Sequence, residues 1–386
     1  MYNQGFKGMR VLIISSPNPY GRGGEIRSYN ILMNMSDKVN IDLITDLNND
    51  IVINELRNRV DEIYRVRCSS NHETCIANIV KLATNLRKED YDLIVSQSEH
   101  PRYALSAFAI AKILGRPWTA IVNSFIYICP LCSSELSLTR FIRNKITLDM
   151  LNKTLVHLVS RAVQFELSRR GFGFINYEVL EVPVGIDWDV INKVRAESIS
   201  KEYDIAFMGV LSSEKGIYDI AYAVYILKKK LNRDIKAVLI GDFSSYTEKM
   251  RYFSILNKLG LQPNIIFKGY LTGEEKYREM LKAKIFVFPS KIDVFPISIL
   301  EALALGLPVI TWDLPYSREF TTNAVIRVNS FAKFIEALEY LLTNDDTRNT
   351  LGNVGSEWAK HYTWRNAAQS EYKAYLRTIK WWLSNA

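Results

Sequence analysis

Cysteine is scarce. Cys68, Cys75, Cys129 and Cys132 are the four in 386 residues. That is too few for a disulfide scaffold, and the amino terminus shows no secretory pattern, so buried free thiols are the expectation, with a disulfide or zinc as alternatives. Cys129-Pro-Leu-Cys132 is a lone CxxC; zinc needs a second pair, and Cys68, His72 and Cys75 are poorly spaced to supply it. Also missing is a run of about 18 strongly apolar residues, the length that crosses a bilayer. The nearest stretch, Pro117 to Ser134, is broken by Asn123, Ser124 and Pro130 and reads as a buried strand and an apolar loop. No G-x-G-x-x-G fingerprint occurs, which disfavours a dehydrogenase.

What is present is ordinary for a globular chain: 48% apolar and 23% charged residues. The length suggests two domains at roughly 150 residues each. A net charge of +8 favours anionic partners such as phosphates or an acidic membrane surface. Nothing points to nucleic acid.

The chain alternates apolar runs with helix formers, the pattern of parallel α/β sheets. Strands are predicted at Arg10–Ser15, Val39–Thr45, Tyr91–Ser96, Trp118–Asn123, Leu155–Ser160 and Val179–Pro183, then at Ile205–Met208, Lys236–Gly241 and Ile265–Gly269. After the first strand, Gly21, Gly23 and Gly24 lead into a helix, an arrangement that lets backbone N–H groups approach an anion. The segment Lys284 to Thr311 reads as strand, loop, helix, strand. Its loop lies at the carboxyl end of a strand and feeds a helix N-terminus, where open α/β sheets bind ligands and anions. Asp293 sits at the loop tip and Glu301 about two helical turns on. Asp90-Tyr-Asp92 precedes its strand, away from that end, and reads as structural. From Arg140 to Arg170 seven basic residues face only Asp149 and Glu166, with apolar residues between them. This is either an ordinary amphipathic helical face or a dock for anionic lipid head groups.

The segment around Asp293 resembles the family-four retaining glycosyltransferases. Pro289, Ser290, Phe295, Pro296, Leu300, Glu301, Ala302, Ala304, Gly306, Pro308, Val309 and Ile310 match the family's spacing; Asp293 stands for the first Glu of its Glu-x7-Glu motif and Val294 for its usual Gly. Gly209-Val-Leu-Ser-Ser-Glu-Lys215-Gly216 resembles G-R-L-x-x-x-K-G with Val210 in place of Arg; Pro183-Val-Gly-Ile-Asp187 resembles P-N-G-V/I-D; Tyr362-Thr-Trp364 resembles F/Y-S/T-W. The resemblance runs over about residues 9–380 and is strongest from 205 to 312.

It implies the GT-B architecture: α/β, two Rossmann-like domains with parallel sheets facing a central cleft. The expected domains are 1–187 on the acceptor side, 188–364 for the nucleotide-sugar, and a C-terminal helix, 365–386, that crosses back. It implies a retaining hexosyltransferase that moves a sugar from a UDP- or GDP-sugar to a glycan or lipid-linked acceptor, with neither cofactor nor metal. Lys215 is expected on the donor diphosphate, aided by Gly23, Gly24, Gly209, Phe295 and the backbone donors of Ile297 and Ser298. Glu301 is expected on the ribose, the loop holding Tyr270 at the base, and Asp293 on the hydroxyls of the transferred sugar. Asn123 occupies the place of a family His near that sugar and can donate a hydrogen bond, and His100 is a candidate base or acceptor ligand. The expected location is cytoplasmic, with a peripheral contact to the inner membrane face. A nucleotide-sugar epimerase and a non-catalytic sugar- or nucleotide-binding subunit share this fold and stay open.

Overall fold

The computed structural model describes residues 8–21, 23–68, 72–87, 90–126 and 135–385. The CxxC at Cys129 and Cys132 lies outside them, as does most of the apolar loop around it. The chain divides into two units, residues 1–185 with 364–386, and residues 186–363.

The first unit runs β1 (Met9–Ile14), α1 (Gly23–Asn34), β2 (Val39–Thr45), α2 (Asp50–Leu56), β3 (Glu62–Arg65), α3 (His72–Ala83), β4 (Leu93–Ser96), α4 (Pro101–Leu114), β5 (Trp118–Val122), α5 (Glu135–Leu151), β6 (Val156–Leu158), α6 (Arg161–Ser168) and β7 (Tyr177–Val179). Its parallel sheet has the order β3-β2-β1-β4-β5-β6-β7. Helices cover both faces of such a sheet, so its strands carry continuous apolar runs. Val11, Leu12, Ile13 and Ile14 are accordingly all fully buried. The last strand lies earlier than the predicted Val179–Pro183. The Pro183 carbonyl instead accepts from Arg27 Nε at 2.6 Å.

The second unit runs α7 (Trp188–Arg195), β8 (Tyr203–Met208), α8 (Ile217–Lys230), β9 (Ala237–Ile240), α9 (Tyr246–Leu259), β10 (Ile265–Gly269), α10 (Gly273–Leu281), β11 (Ala283–Phe288), α11 (Ile297–Ala304), β12 (Val309–Trp312), β13 (Val325–Val328), α12 (Phe331–Thr343) and α13 (Asp345–Ala359). Its parallel sheet has the order β10-β9-β8-β11-β12-β13. Side-chain caps at Ser245 and Ser330 start α9 and α12, and left-handed Gly260 ends α9. Helix α13 holds Gly352 and Gly355, residues that ordinarily weaken a helix. Here Gly352 lets two backbones meet, since a Cβ on it would lie 2.2 Å from the Gly306 carbonyl oxygen.

The final helix, α14 (Trp364–Asn385), belongs to the first unit, where it packs on α1 and β5. A buried polar network anchors it. Arg27 Nη2 lies 2.6 Å from Glu371 Oε2, and its Nη1 donates to Gln97 Oε1 at 3.1 Å. Gln97 Nε2 donates to both Glu371 and the Tyr375 hydroxyl. His157 Nε2 pairs with Thr378 Oγ1 at 2.8 Å, and Val182 N–H donates to Ser370 Oγ at 3.2 Å.

Candidate donor and acceptor sites

Both sheets reverse their strand order once, between β1 and β4 and between β8 and β11. Two neighbouring strands there send their following helices to opposite faces, leaving a crevice at their carboxyl ends.

In the second unit the crevice is framed by the loop after β8, which carries Lys215, and the loop after β11, which carries Asp293. Gly216 brings the loops together. Its φ is +80°, and a Cβ there would lie 2.1 Å from the Pro289 carbonyl oxygen, so both the conformation and the space require glycine. Lys291 N–H donates to the Glu214 carbonyl at 2.8 Å, and the Tyr316 hydroxyl donates to the Ser290 carbonyl at 2.7 Å. Across this frame Lys215 Nζ meets Asp293 Oδ2 at 2.6 Å and the Ile292 carbonyl at 3.1 Å. The two side chains expected to hold the donor's diphosphate and sugar are thus paired with each other. Both remain partly open to solvent. Gly209 opens the loop, and Val210, in place of the family Arg, is 53% exposed.

Glu301 is buried on α11. Its Oε1 accepts from Lys276 Nζ at 2.6 Å and from the Tyr277 hydroxyl at 3.0 Å. Burial and then the adjacent Glu301 charge push the Tyr277 hydroxyl well above the usual phenol range, so it stays a donor. Lys276 and Tyr277 escaped the sequence reading because a Lys among helix formers looks like a solvated surface residue. Ile297 and Ser298 form the first turn of α11, where N–H groups have no acceptor within the helix. Tyr270 follows β10 and is 55% exposed. The Phe295 ring is buried, 4.9 Å from that of Phe320 and 6.2 Å from that of Tyr362, so its side chain packs the loop before α11.

In the first unit, Gly23 and Gly24 open α1 beside the β1–β4 crevice. A Cβ on Gly24 would lie 3.7 Å from that of Asn123. Asn123 is fixed in this turn. Its Nδ2 donates to the Gln97 carbonyl at 2.6 Å, and the atom left buried without a partner among the described residues is the acceptor Oδ1. Glu99, which the sequence reading gave no role, holds this turn: it accepts from Asn123 N–H at 2.8 Å, from Ser124 N–H at 3.3 Å and from the Ser124 hydroxyl. Burial raises its pKa against the pull of those bonds. His100 caps α4 without a side-chain capping bond, and its ring lies 5.0 Å from that of His72. Burial, then His72, Arg102 and Arg143, lower its pKa, so it is neutral at pH 7.

Asp92 Oδ2 accepts from the Arg10 N–H at 2.9 Å at the entry to β4, a structural position. Cys68 and Cys75 form a disulfide, with Cα atoms 4.7 Å apart, which replaces the expectation of free thiols for this pair. Spacing alone does not show it: Cys68 lies after β3 and Cys75 in the first turn of α3, and only the fold brings them together.

Residues 191–358 match the family model of glycosyl transferases group 1. An uncharacterized glycosyltransferase of Methanocaldococcus jannaschii is 24% identical over 202 residues, 50% of each chain. The D-inositol 3-phosphate glycosyltransferase of Corynebacterium diphtheriae is 27% identical over 177 residues, 44% of this chain and 42% of its own. The chain spans about half the length of the curated relatives it matches. Among solved structures, Anabaena HepE in complex with UDP-glucose aligns with a TM-score of 0.71 at 16% identity, covering 98% of this chain and 100% of that one. The two sheets and this likeness give the chain the GT-B fold.

Proposed function

We propose, from a second unit that is a group 1 glycosyltransferase domain within a GT-B fold, that the protein moves a glycosyl group from a nucleotide-sugar donor to an acceptor. The observation that carries this reading is the Lys215–Asp293 pair at the β8–β11 crevice. A cation there meets the diphosphate, and a carboxylate beside it meets the sugar hydroxyls. Departure of a nucleoside diphosphate needs its negative charge stabilised more than it needs a proton. Lys215 and the N-termini of α8 and α11 supply that stabilisation, which is the basis for reading the reaction as metal-independent. Glu301, held through one oxygen by Lys276 and Tyr277, presents the other to the ribose. Retention of configuration follows from the family resemblance. A transfer and hydrolysis screen across UDP- and GDP-sugars, with and without a chelator, tests the reading. No turnover of any donor would overturn it, and activity restored only by manganese would overturn the metal-free mechanism.

We infer also that the acceptor is lipid-linked and that the first unit docks on an anionic membrane surface. Supporting this, Leu138, Ile142 and Ile146 are exposed at intervals of four residues along α5, with Arg140 nearby in the same helix. Four-residue spacing puts them on one helical face. No helix of the described residues is long and apolar enough to cross a membrane. Binding to anionic vesicles is expected to fall steeply with salt and with Ile142→Asp. Equal binding to neutral and anionic vesicles would sink the idea.

A further inference from the structure

Three successive loops at the carboxyl edge of the first sheet bring a second charged cluster together. Asp46 follows β2, His72 begins α3 after β3, and His100 and Arg102 follow β4. The Cys68–Cys75 disulfide ties the start of α3 to the chain leaving β3. The His72 and His100 rings lie 5.0 Å apart. Arg102 Nη1 pairs with Asp46 Oδ2 at 2.6 Å, and the Tyr103 hydroxyl donates to Asp46 Oδ1 at 3.1 Å. Arg143 lies on α5, which packs against α4; burial first, and then the Arg143 and Arg102 charges, lower the pKa of both imidazoles.

The balance is positive. Two guanidinium groups stand against the Asp46 carboxylate, the two neutral imidazoles supply polar N–H groups, and the N-termini of α3 and α4 add their partial positive charge. Two atoms of the cluster, Arg143 Nε and His72 Nδ1, are buried without a hydrogen-bond partner among the described residues. Buried polar atoms rarely go unpaired, and two guanidinium groups beside them favour a bound anion. Guanidinium groups suit the fixed oxygen geometry of a phosphate. We propose that His72, His100, Arg102 and Arg143 bind a phosphoryl group carried by the acceptor. The acceptor assignment rests on the glycosyl-transfer reading, whereas the anion site stands on the cluster itself.

Calorimetric titration of inorganic phosphate into Lys215→Ala protein tests the site with the donor-unit cation removed. Saturable binding is expected, at least tenfold weaker after either Arg143→Gln or His72→Ala is added. Lys112→Gln, in the last turn of α4, is expected to leave it unchanged. Absence of binding, or binding that ignores Arg143 and His72, would overturn the site, and neither result depends on turnover. The source of the phosphoryl group is then read by comparing a soluble sugar phosphate with phosphatidylglycerol vesicles. A loss on Arg143→Gln confined to the sugar phosphate assigns a phosphorylated soluble acceptor, and one confined to vesicles assigns a lipid head group. No loss in either arm overturns the proposal.

Discussion

The two units share one plan and use it differently. Each sheet reverses its strand order once and places two loops at that reversal. In the second unit the crevice is charged and partly open, with Lys215 paired to Asp293 and Glu301 held by Lys276 and Tyr277. In the first it holds Gly24 against Asn123, with a buried Glu99 fixing the turn from behind, and its basic side chains, the imidazoles of His72 and His100 and the guanidinium groups of Arg102 and Arg143, lie farther along the sheet edge. Topology therefore sets where a ligand can sit, and side chains set which ligand.

The comparison is broken most severely by attacking what closes the first unit. Arg27 and Glu371 are fully buried and bonded to each other. Removing one partner of such a pair costs about 3–5 kcal/mol, because the other charge is left buried alone. Glu371→Ala is expected to lower the unfolding temperature of the first unit and leave nucleoside diphosphate binding by folded protein intact. A scanning calorimetry trace unchanged from wild type would show that the network does not hold α14.

A smaller effect sharpens the role of the second crevice. Lys215→Ala is expected to weaken nucleoside diphosphate binding by about 1.5–3 kcal/mol, the range for a hydrogen bond to a charged group. Unchanged affinity in calorimetry would remove Lys215 from the diphosphate site.

Asp293 separates binding from turnover. Asp293→Asn should lower turnover by on the order of ten- to a hundredfold, as a charged hydrogen bond to the sugar weakens. The same change releases Lys215 from its ion pair, so binding of the bare nucleoside diphosphate should tighten. Asp293→Glu should not raise turnover, despite restoring the Glu-x7-Glu motif that this segment resembles. Wild-type kinetics in Asp293→Asn would detach this loop from the donor sugar.

The smallest effect concerns pH. Burial lowers the pKa of His157 to about 3, against an ordinary value of 6.5. The unfolded chain therefore takes up a proton near pH 6.5 that the folded chain refuses, and stability contributed above that pH is lost as pH falls. Going from pH 6.5 to 5.5 should cost about 1 kcal/mol through this residue. Denaturant titrations at the two values, in wild type and His157→Gln, check it; equal pH sensitivity in both would exclude His157.

Much of the fold was legible because it is written in local repeats. Val39–Thr45 and Ile265–Gly269 form strands over the predicted residues, since buried parallel strands are short apolar runs bounded by turn signals. The loop before α11 was legible for the same reason: strand, polar turn and helix formers follow one another along the chain. The contacts of Asn123 were not legible. No spacing reveals that the Gln97 carbonyl takes one of its two amide hydrogens. Lys276, Glu99 and the Cys68–Cys75 bond were missed because each acquires its partner through chain geometry.

The sequence by itself determined the alternation of strands and helices, the glycines at tight approaches, and the residue types that border the second crevice. These depend on backbone preferences and on neighbours a few positions away. Only the tertiary structure decided which charges meet. Arg27 finds Glu371 across 344 residues, and Glu301 finds Lys276 across 25. A charged side chain offers the same signal along the chain whether it ends in water or in an ion pair. The difference is made by desolvation and by the few ångströms that separate it from a counter-charge, and both exist only once the sheets have formed.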